Sequence, residues 1–255
     1  MIVLGFDTAT SATAVALRLG DSSTSRRRDD PATGEHPGHA TRLLALADEL
    51  LGEAGVSWGE LERIAVGVGP GMFTGLRVGV STARGLAQSL SVGLVGVSSL
   101  AALAEAADAE AARSGPAEDG YDALLAVIDA RRGEAFAAAY ARAPEAIPGE
   151  LANARALSPA DLAALPAALD SEHGGAPRRW LAVGDGALRY REQLQAAGVE
   201  VPPVGSALHL VDAGAICAAG ARAARAHEPP DIVPDYRRRP DAEIALEGAG
   251  RGGRR

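Results

Sequence analysis

The sequence has 255 residues, 47% of them apolar, which is enough to bury a core in one large domain or two modest ones. Its net charge of −8 argues against a protein that grips nucleic acid by itself. The single cysteine excludes a disulfide framework and a multi-cysteine zinc site. Met1 leads straight into a predicted strand, and no apolar run reaches membrane length. We therefore expect a soluble, cytoplasmic protein that does not contact a membrane.

The first predicted elements are strands. Residues 2–6 and 13–19 are apolar runs of strand type, and the short polar loop between them begins at Asp7. This pattern predicts a β-hairpin. Residues 20–38 are predicted to hold an exposed third strand and a loop, and the charge run at 26–30 is expected to be solvated.

An amphipathic helix is predicted over residues 39–54. Its apolar side chains cover an arc of about 160°, whereas a single core contact needs a stripe of about 100°. The extra width indicates either deep burial or a second contact surface, and the sequence does not decide between the two.

Residues 63–90 combine a strand, a glycine-rich turn and a second helix. The apolar strand stops at Gly69-Pro70-Gly71, and apolar residues recur at helical spacing from Leu76, with Thr74 as the predicted N-cap. One face of this helix carries small uncharged residues, namely Gly75, Val78, Gly79, Thr82, Gly85 and Ser89. Interior glycine costs roughly 1 kcal/mol against alanine in an exposed helix. We therefore expect this face to lie against a closely packed backbone, either of the same domain or of a partner.

The glycine-rich turn does not match the standard motifs for phosphate binding or nucleophilic catalysis. A Walker A loop needs a lysine, and all 25 basic residues of the chain are arginines. The Rossmann fingerprint needs a third glycine where this chain has Met72. The Gly-x-Ser-x-Gly nucleophile elbow is also absent from the turn. The sequence therefore excludes these three mechanisms for the turn.

The second half of the chain begins by repeating the first. A predicted strand at 93–97, a helix at 98–113 and a linker at 114–120 lead to this point. Residues 124–129 then form an apolar strand closed by an aspartate, as residues 2–7 do. The match at mid-chain indicates an internal duplication.

Weaker patterns predict the remaining elements, in chain order a strand at 150–157, a short helix at 159–165, a strand at 180–183, a helix at 187–197 and an alanine-rich helix at 208–227. We predict a first lobe over 1–104 and a reduced second lobe over 120–206. The C-terminal helical segment 207–228 is expected to pack back on the first lobe. Residues 240–255 are rich in glycine and arginine and are predicted to be disordered.

Six short strings give the sequence a family resemblance. In chain order they are Asp7-Thr-Ala-Thr, Gly69-Pro-Gly-Met-Phe-Thr-Gly-Leu-Arg77, Gly96-Val-Ser-Ser-Leu100, Ile128-Asp-Ala-Arg-Arg-Gly-Glu134, Gly184-Asp-Gly-Ala187 and Pro234-Asp-Tyr-Arg237. With these strings the chain resembles the TsaB (YeaZ) family over residues 1–239. The resemblance implies an ASKHA (actin/hexokinase-like) α/β fold, with two duplicated lobes of mixed sheets flanked by helices and a reduced second lobe.

The resemblance also implies a function. TsaB is the non-catalytic, dimerising scaffold partner of the catalytic subunit TsaD in the bacterial machinery that makes N6-threonylcarbamoyladenosine on tRNA. The ATPase TsaE joins the two, and TsaC supplies threonylcarbamoyl-adenylate. For this chain we therefore expect no activity of its own, contact with tRNA only through the complex, and a homodimer when the partner is absent. No tightly bound cofactor is expected, with weak ATP or ADP binding within the complex.

The histidines do not match the metal site that the resemblance implies for TsaD, a His-x-x-x-His pair one helical turn apart. The nearest candidates, His36 and His39, are separated by only two residues, one of them Pro37. We therefore expect neither a metal site nor catalytic residues, and we assign a structural or interface role to His39.

The expected partner interface lies on the first two helices, at His39, Leu43, Leu46, Ala47, Leu50, Gly75, Gly79 and Thr82. Candidate contacts to a nucleotide or phosphate are Asp7, Gly71 and Asp129. The resemblance places the two aspartates where active ASKHA phosphotransferases hold phosphate and magnesium. The alternative function is therefore a stand-alone ASKHA phosphotransferase or hydrolase that uses Asp7 and Asp129. We favour a simpler role for Asp7, as a turn residue that binds nearby backbone N–H groups.

Overall fold

The chain folds around two mixed β-sheets, seen in a computed structural model that describes residues 1–20, 23–32, 34–113, 120–143, 147–174, 176–224, 227–228 and 231–237. The first sheet holds β1 (Ile2–Asp7), β2 (Thr13–Leu19), β3 (Ser23–Asp29), β4 (Arg63–Gly69) and β5 (Gly93–Ser98). The second sheet holds β6 (Ala123–Arg131), β7 (Glu134–Ala141), β8 (Gly149–Leu157) and β9 (Trp180–Val183). The helices are α1 (His39–Ala54), α2 (Phe73–Leu90), α3 (Ser99–Arg113), α4 (Pro159–His173), α5 (Asp185–Arg189), α6 (Arg191–Ala196) and α7 (Ala213–Arg222).

Both sheets follow one plan. The strand order is β3-β2-β1-β4-β5 in the first sheet and β8-β7-β6-β9 in the second. In each sheet the central strand pairs antiparallel with the next strand along the chain and parallel with a strand that follows a helix. Asp7 closes β1 opposite Ala14, and Asp129 lies near the end of β6 opposite Ala135. The described structure therefore confirms two duplicated α/β lobes, with one strand fewer in the second.

Helices fill the space around and between these sheets. α1 and α2 cover one face of the first sheet, where Leu43 and Leu50 share a buried cluster with strand residues. α3 and α7 lie between the two sheets, and Leu103 and Ile216 belong to a cluster that joins residues of both. α4 and α6 cover the other face of the second sheet, where Leu162 is buried.

The C-terminal helix α7 packs on β1, β2 and β4 of the first lobe. Two glycines permit this contact, because a Cβ on Gly5 would lie 2.6 Å from Cys217 Sγ and one on Gly220 would lie 2.6 Å from Ala65 Cβ. The Cys217 thiol donates to the carbonyl oxygen of Ala16 at 3.3 Å, and burial raises its pKa to about 12. The thiol is therefore protonated at neutral pH, and Cys217 acts in packing rather than as a nucleophile.

The start of α2 differs from the sequence prediction. The helix begins at Phe73, because the carbonyl oxygen of Met72 already accepts the backbone N–H of Leu76 at 2.9 Å. Met72 is therefore the N-cap residue, and its side chain makes no capping hydrogen bond. The prediction that Thr74 caps the helix is wrong, since Thr74 lies within the first turn.

The end of the chain also differs from its prediction. The final helix is shorter than the predicted range 208–227, because the Asp212 side chain accepts the backbone N–H of Gly214 at 2.8 Å and caps the helix there. The predicted helix at 187–197 is divided into α5 and α6 at Tyr190, which has a non-helical φ of −108°.

α4 is longer than its predicted range, 159–165. It continues through Pro166 to His173, because Leu165 and Leu169 still pack in the core of the second lobe. A proline inside a helix removes one backbone hydrogen bond. The tertiary contacts here outweigh that local effect.

Two sequence predictions fall largely outside the described residues, namely the linker at 114–120, of which only residue 120 is described, and the disordered tail at 240–255. Among the helices that are described, none is long and apolar enough to cross a membrane.

Candidate functional site

The candidate site lies where β1 and β6 end, and Asp7 is its most buried acid. Asp7 is 1% exposed; its Oδ1 accepts the backbone N–H of Ala9 at 2.8 Å, and its Oδ2 accepts the hydroxyl of Ser99 at 2.5 Å. A Cβ on Gly67 would lie 1.8 Å from Oδ2, so the backbone of β4 closes over the carboxylate. The interpretation of Asp7 as a turn residue is confirmed. The same carboxylate also ties β1 to the start of α3.

Burial raises the pKa of the Asp7 carboxyl, and the hydrogen bonds from Ser99 and Ala9 oppose this rise. The folded chain therefore holds this proton to a higher pH than the unfolded chain does. The contribution of Asp7 to the free energy of unfolding falls as the pH rises from the ordinary pKa of 3.8 through the raised pKa of the folded state.

We expect Asp7→Asn to keep the fold and to remove this pH dependence. The amide accepts from Ala9 and donates to the Ser99 hydroxyl, so both contacts survive without a buried charge. Urea unfolding of both proteins across about pH 4 to 8 measures the difference. The variant is expected to gain stability relative to the parent as the pH rises. A variant less stable at every pH would show that the negative charge itself holds these elements together.

Asp129 repeats the local geometry of Asp7 in the second lobe. Its Oδ1 accepts the backbone N–H of Arg131, two residues on, at 2.9 Å, as Asp7 accepts that of Ala9. Asp129 is 7% exposed, and its carboxylate oxygens lie 3.3 Å from Arg131 Nη1 and 3.6 Å from Arg189 Nε. This chain's own arginines therefore neutralise the carboxylate.

Asp185, the first residue of α5, links the two aspartates. Its Oδ1 accepts the backbone N–H of Asp129 at 3.0 Å, and its negative charge adds to the burial that raises the pKa of Asp7. Burial also raises the pKa of Asp185 itself. Gly184 has a φ of +105°, and a Cβ there would lie 2.1 Å from the carbonyl oxygen of Val127. Only glycine fits where the chain turns into α5.

The glycine-rich turn before α2 packs on the turn between β1 and β2. Met72 N donates to the carbonyl oxygen of Ala9 at 2.7 Å, and a Cβ on Gly71 would lie 2.4 Å from the same oxygen. The closeness of Ala9 explains why Gly71 is a glycine, and its contact with phosphate stays a prediction. The second lobe reaches the same turn, because Arg131 Nη2 lies 3.9 Å from Met72 Sδ.

The apolar α1 side chains that were predicted to form a partner interface lie in the chain's own core. Leu43, Leu46, Ala47 and Leu50 are at most 3% exposed and belong to the cluster between α1 and the first sheet. Deep burial therefore explains the wide apolar arc of α1, which was one of the two alternatives. The prediction that these side chains form an exposed docking surface has to be corrected.

The same correction applies to His39, Gly75 and Gly79. His39 is 4% exposed, its Nδ1 lies 2.9 Å from Thr13 Oγ1, and burial lowers its pKa. A Cβ on Gly75 would lie 2.0 Å from the carbonyl oxygen of Thr8, and one on Gly79 would lie 2.3 Å from Thr8 Oγ1. The closely packed backbone that these glycines predict is therefore the chain's own turn between β1 and β2.

A small, uncharged surface remains on the outside of these helices. We call it the outer α1/α2 face and define it by Leu44, Ser81, Thr82, Gly85 and Ser89. Leu44 is 46% exposed, both serines are exposed and Thr82 is half-buried. A Cβ on Gly85 would have no atom within 4 Å. No neighbour in the described chain therefore explains why position 85 is a glycine.

The histidines and the other metal-binding residue types do not converge. His36 is exposed in the loop before α1, whereas His39 is buried. Within the described ranges, no group of three or more His, Cys, Asp or Glu residues is arranged to hold a metal ion. Sequence reasoning also missed Ser99 and Arg189, although both lie in or beside strings that carry the family resemblance.

Comparisons with known proteins show which proteins this chain is similar to. The family model described as TsaD: tRNA N6-adenosine threonylcarbamoyltransferase matches residues 35–246. The chain is 35% identical over 142 residues to the tRNA threonylcarbamoyladenosine biosynthesis protein TsaB of Escherichia coli, which covers 56% of each chain. It is 30% identical over 145 residues to the protein of the same name from Bacillus subtilis, which covers 55% of each. The chain thus spans about half the length of the curated relatives it matches.

Solved structures extend the match over nearly the whole chain. A Pseudomonas aeruginosa protein described as similar to peptidase YEAZ has a TM-score of 0.72 and 29% identity, covering 93% of this chain and 99% of its own. YeaZ from the same organism has a TM-score of 0.69 and 28% identity, covering 92% and 100%. The duplicated lobes with aspartate-closed strands define an α/β protein of the ASKHA (actin/hexokinase-like) class. Within that class, the chain belongs to the TsaB (YeaZ) family.

Proposed function

We propose that the chain is a non-catalytic scaffold subunit that supports a TsaD-like catalytic subunit in the synthesis of threonylcarbamoyladenosine on tRNA. Relatives from Escherichia coli and Bacillus subtilis are named as tRNA threonylcarbamoyladenosine biosynthesis proteins, which supports a role in this process. The environment of Asp7 is the observation that supports a non-catalytic role. Asp7 is 1% exposed, and both of its carboxylate oxygens accept hydrogen bonds from within the chain.

A catalytic carboxylate has to reach a metal ion or the group that reacts. Gly67 and Ser99 close off the carboxylate of Asp7, and two arginines pair with that of Asp129. These contacts argue against a stand-alone phosphotransferase or hydrolase that uses Asp7 and Asp129. They favour a structural use of both carboxylates, as hydrogen-bonding groups that hold turns, strands and helices together where β1 and β6 end.

The outer α1/α2 face is the surface that we assign to the partner. Leu44 is the large apolar side chain that these two helices expose. Gly85 is an open mid-helix glycine, which is unfavourable for an isolated helix and favourable where a second backbone approaches. The match of this chain to a TsaD-type family model over residues 35–246 supports a TsaD-like partner with helices similar to α1 and α2. Helix pairs from two similar lobes then pack against each other.

We expect Leu44→Asp to weaken binding of the cognate TsaD-like protein about 30-fold, because it places an unpaired carboxylate in a desolvated contact. The fold is expected to survive, since the side chain is already 46% exposed. Titration of labelled chain with the partner measures the dissociation constant, and a thermal melt checks the fold.

Ile147→Asp is the matched control, because Ile147 is 63% exposed and lies in the second lobe, between β7 and β8. It should leave the partner affinity unchanged. Equal affinities for the parent chain and for Leu44→Asp would remove the outer α1/α2 face from the proposal. Absence of any complex with the parent chain would remove the scaffold function itself.

The proposal extends to the rest of the assembly. A TsaE-like ATPase joins the pair in the cytoplasm, and tRNA is bound through the complex. A second copy of this chain occupies the outer α1/α2 face when the TsaD-like partner is absent. Any ATP or ADP is held weakly and only within the complex, because the closed environments of Asp7 and Asp129 leave little room for a metal-bound phosphate.

A further inference from the structure

The turn between β6 and β7 places two arginines in a conformation that arginine rarely adopts. Arg131 and Arg132 have φ values of +63° and +52°, and Gly133 follows with +82°. The left-handed region is unfavourable for a residue with a Cβ, so glycine or asparagine is usual in such turns. Strain of this kind tends to persist where the side chain serves a function.

The guanidinium groups around this turn form a positive surface over buried acids. The side chains of Arg131 and Arg189 are 56% and 51% exposed, whereas that of Asp129, with which both pair, is 7% exposed. Arg132 is exposed at the tip of the turn. A large ligand that approaches from solvent therefore contacts the three arginines first. Asp129, which lies beneath them, orients Arg131 and Arg189.

An aromatic and cationic group lies next to this surface, at the start of α2. Arg131 contacts Met72, and Met72 is followed by Phe73, whose ring centroid is 5.1 Å from that of Tyr236. Arg77 lies 3.9 Å above the Phe73 ring and donates from Nε to the Tyr236 hydroxyl at 3.2 Å. Tyr236 is 44% exposed.

We infer that these residues form one RNA-binding surface, the arginine-turn surface, made of Arg131, Arg132, Arg189, Arg77 and Tyr236. The arginines bind backbone phosphates of the tRNA held by the complex, and the exposed ring of Tyr236 offers a stacking position for a base. An open turn tip suits a phosphate chain better than a single nucleotide, which is bound in a closed pocket. The inference deepens the proposed function and rests on it.

We expect this surface to bind tRNA only within the complex, because the chain as a whole is negatively charged. A net charge of −8 repels RNA at long range, so the isolated chain should bind tRNA weakly and with strong salt dependence. A partner that supplies further phosphate contacts brings the tRNA to the arginine-turn surface, where a few arginines add to an affinity that already exists.

The test uses Arg132→Gly and the double variant Arg131→Gly with Arg132→Gly in the reconstituted complex, with an unmodified tRNA transcript as the probe. Fluorescence anisotropy at several salt concentrations measures the dissociation constant. We expect several-fold weaker binding, and a salt slope smaller by about one for the single variant and about two for the double variant. The thermal midpoint of Arg132→Gly should stay equal or rise, because glycine relieves the left-handed backbone.

Two controls separate charge from backbone strain. Ser91→Gly relieves a similar φ of +56° without a change of charge, and Arg155→Gln removes one exposed arginine from β8. Neither should alter tRNA binding. Unchanged tRNA affinity in both glycine variants, with the complex still assembled, would overturn this inference and leave the proposed function standing. Loss of ATP binding with unchanged tRNA binding would also overturn it. Failure of the parent chain to form a complex would overturn both.

Discussion

Leu46→Asp should destabilise the fold more than any other substitution proposed for this chain. Leu46 is 3% exposed and lies in the cluster between α1 and the first sheet, so an aspartate there buries a carboxylate among apolar side chains. Loss of the leucine contacts and the unpaired charge together cost about 4 kcal/mol or more. A domain is stable by only about 5–15 kcal/mol, so the substitution should remove a large share of the stability and lower the thermal midpoint strongly.

Circular dichroism during heating and in urea measures this effect, and Leu44→Asp is the matched control two residues earlier on the same helix. Leu44 is 46% exposed, so its variant should melt close to the parent chain. A Leu46→Asp variant with the parent midpoint would show that the side chain faces solvent or a partner. That result would restore the interpretation of the apolar arc of α1 as a docking surface.

Gly75→Ala is expected to destabilise the fold strongly, second only to Leu46→Asp. The added methyl would lie 2.0 Å from the carbonyl oxygen of Thr8 and 3.1 Å from His39 Nε2. The hydroxyl of Thr8 also donates to the carbonyl oxygen of Gly75 at 2.7 Å, so the turn between β1 and β2 cannot move away without losing that bond. We expect the variant to be about 3 kcal/mol less stable, near the upper end of ordinary overpacking.

Gly85→Ala provides the control with the opposite sign. It adds the same methyl to the same helix, where a Cβ meets no atom within 4 Å. Replacing an exposed helix glycine by alanine usually stabilises by about 0.5–1 kcal/mol. Urea unfolding of the two variants beside the parent chain gives both values. Equal destabilisation by the two substitutions would show that the cost does not come from the contact of position 75 with Thr8.

The sequence predicts elements well where one residue period dominates. α1 covers His39–Ala54, as its 3.6-residue apolar period predicts, and β9 covers Trp180–Val183 as predicted. The duplication is also predicted from the sequence, because each half has an apolar run followed by an aspartate. In the structure, Asp7 and Asp129 make the same turn hydrogen bond. Elements whose limits depend on distant packing are predicted less well. α4 passes through Pro166 for that reason.

The site is harder to predict than the fold, because its contacts join distant residues. Asp7 and Ser99 are 92 positions apart, and no local pattern pairs them. A wide apolar arc shows that α1 has much to bury, but it does not show whether the chain itself or a partner covers it. Gly75 and Gly85 look alike in sequence. The first lies against Thr8, whereas a Cβ on the second would meet open space.

The central claim, that the chain supports catalysis without performing it, is tested most directly by measuring threonylcarbamoyladenosine formation on an unmodified tRNA supplied with threonylcarbamoyl-adenylate. The reaction is run with this chain alone, with the TsaD-like subunit and TsaE-like ATPase alone, and with all three. We expect product only when this chain and the TsaD-like subunit are both present, and an unchanged yield when Asp7→Asn replaces the parent chain. Product formed by this chain alone above background, and lost in Asp7→Asn, would contradict the claim and establish an active site at Asp7.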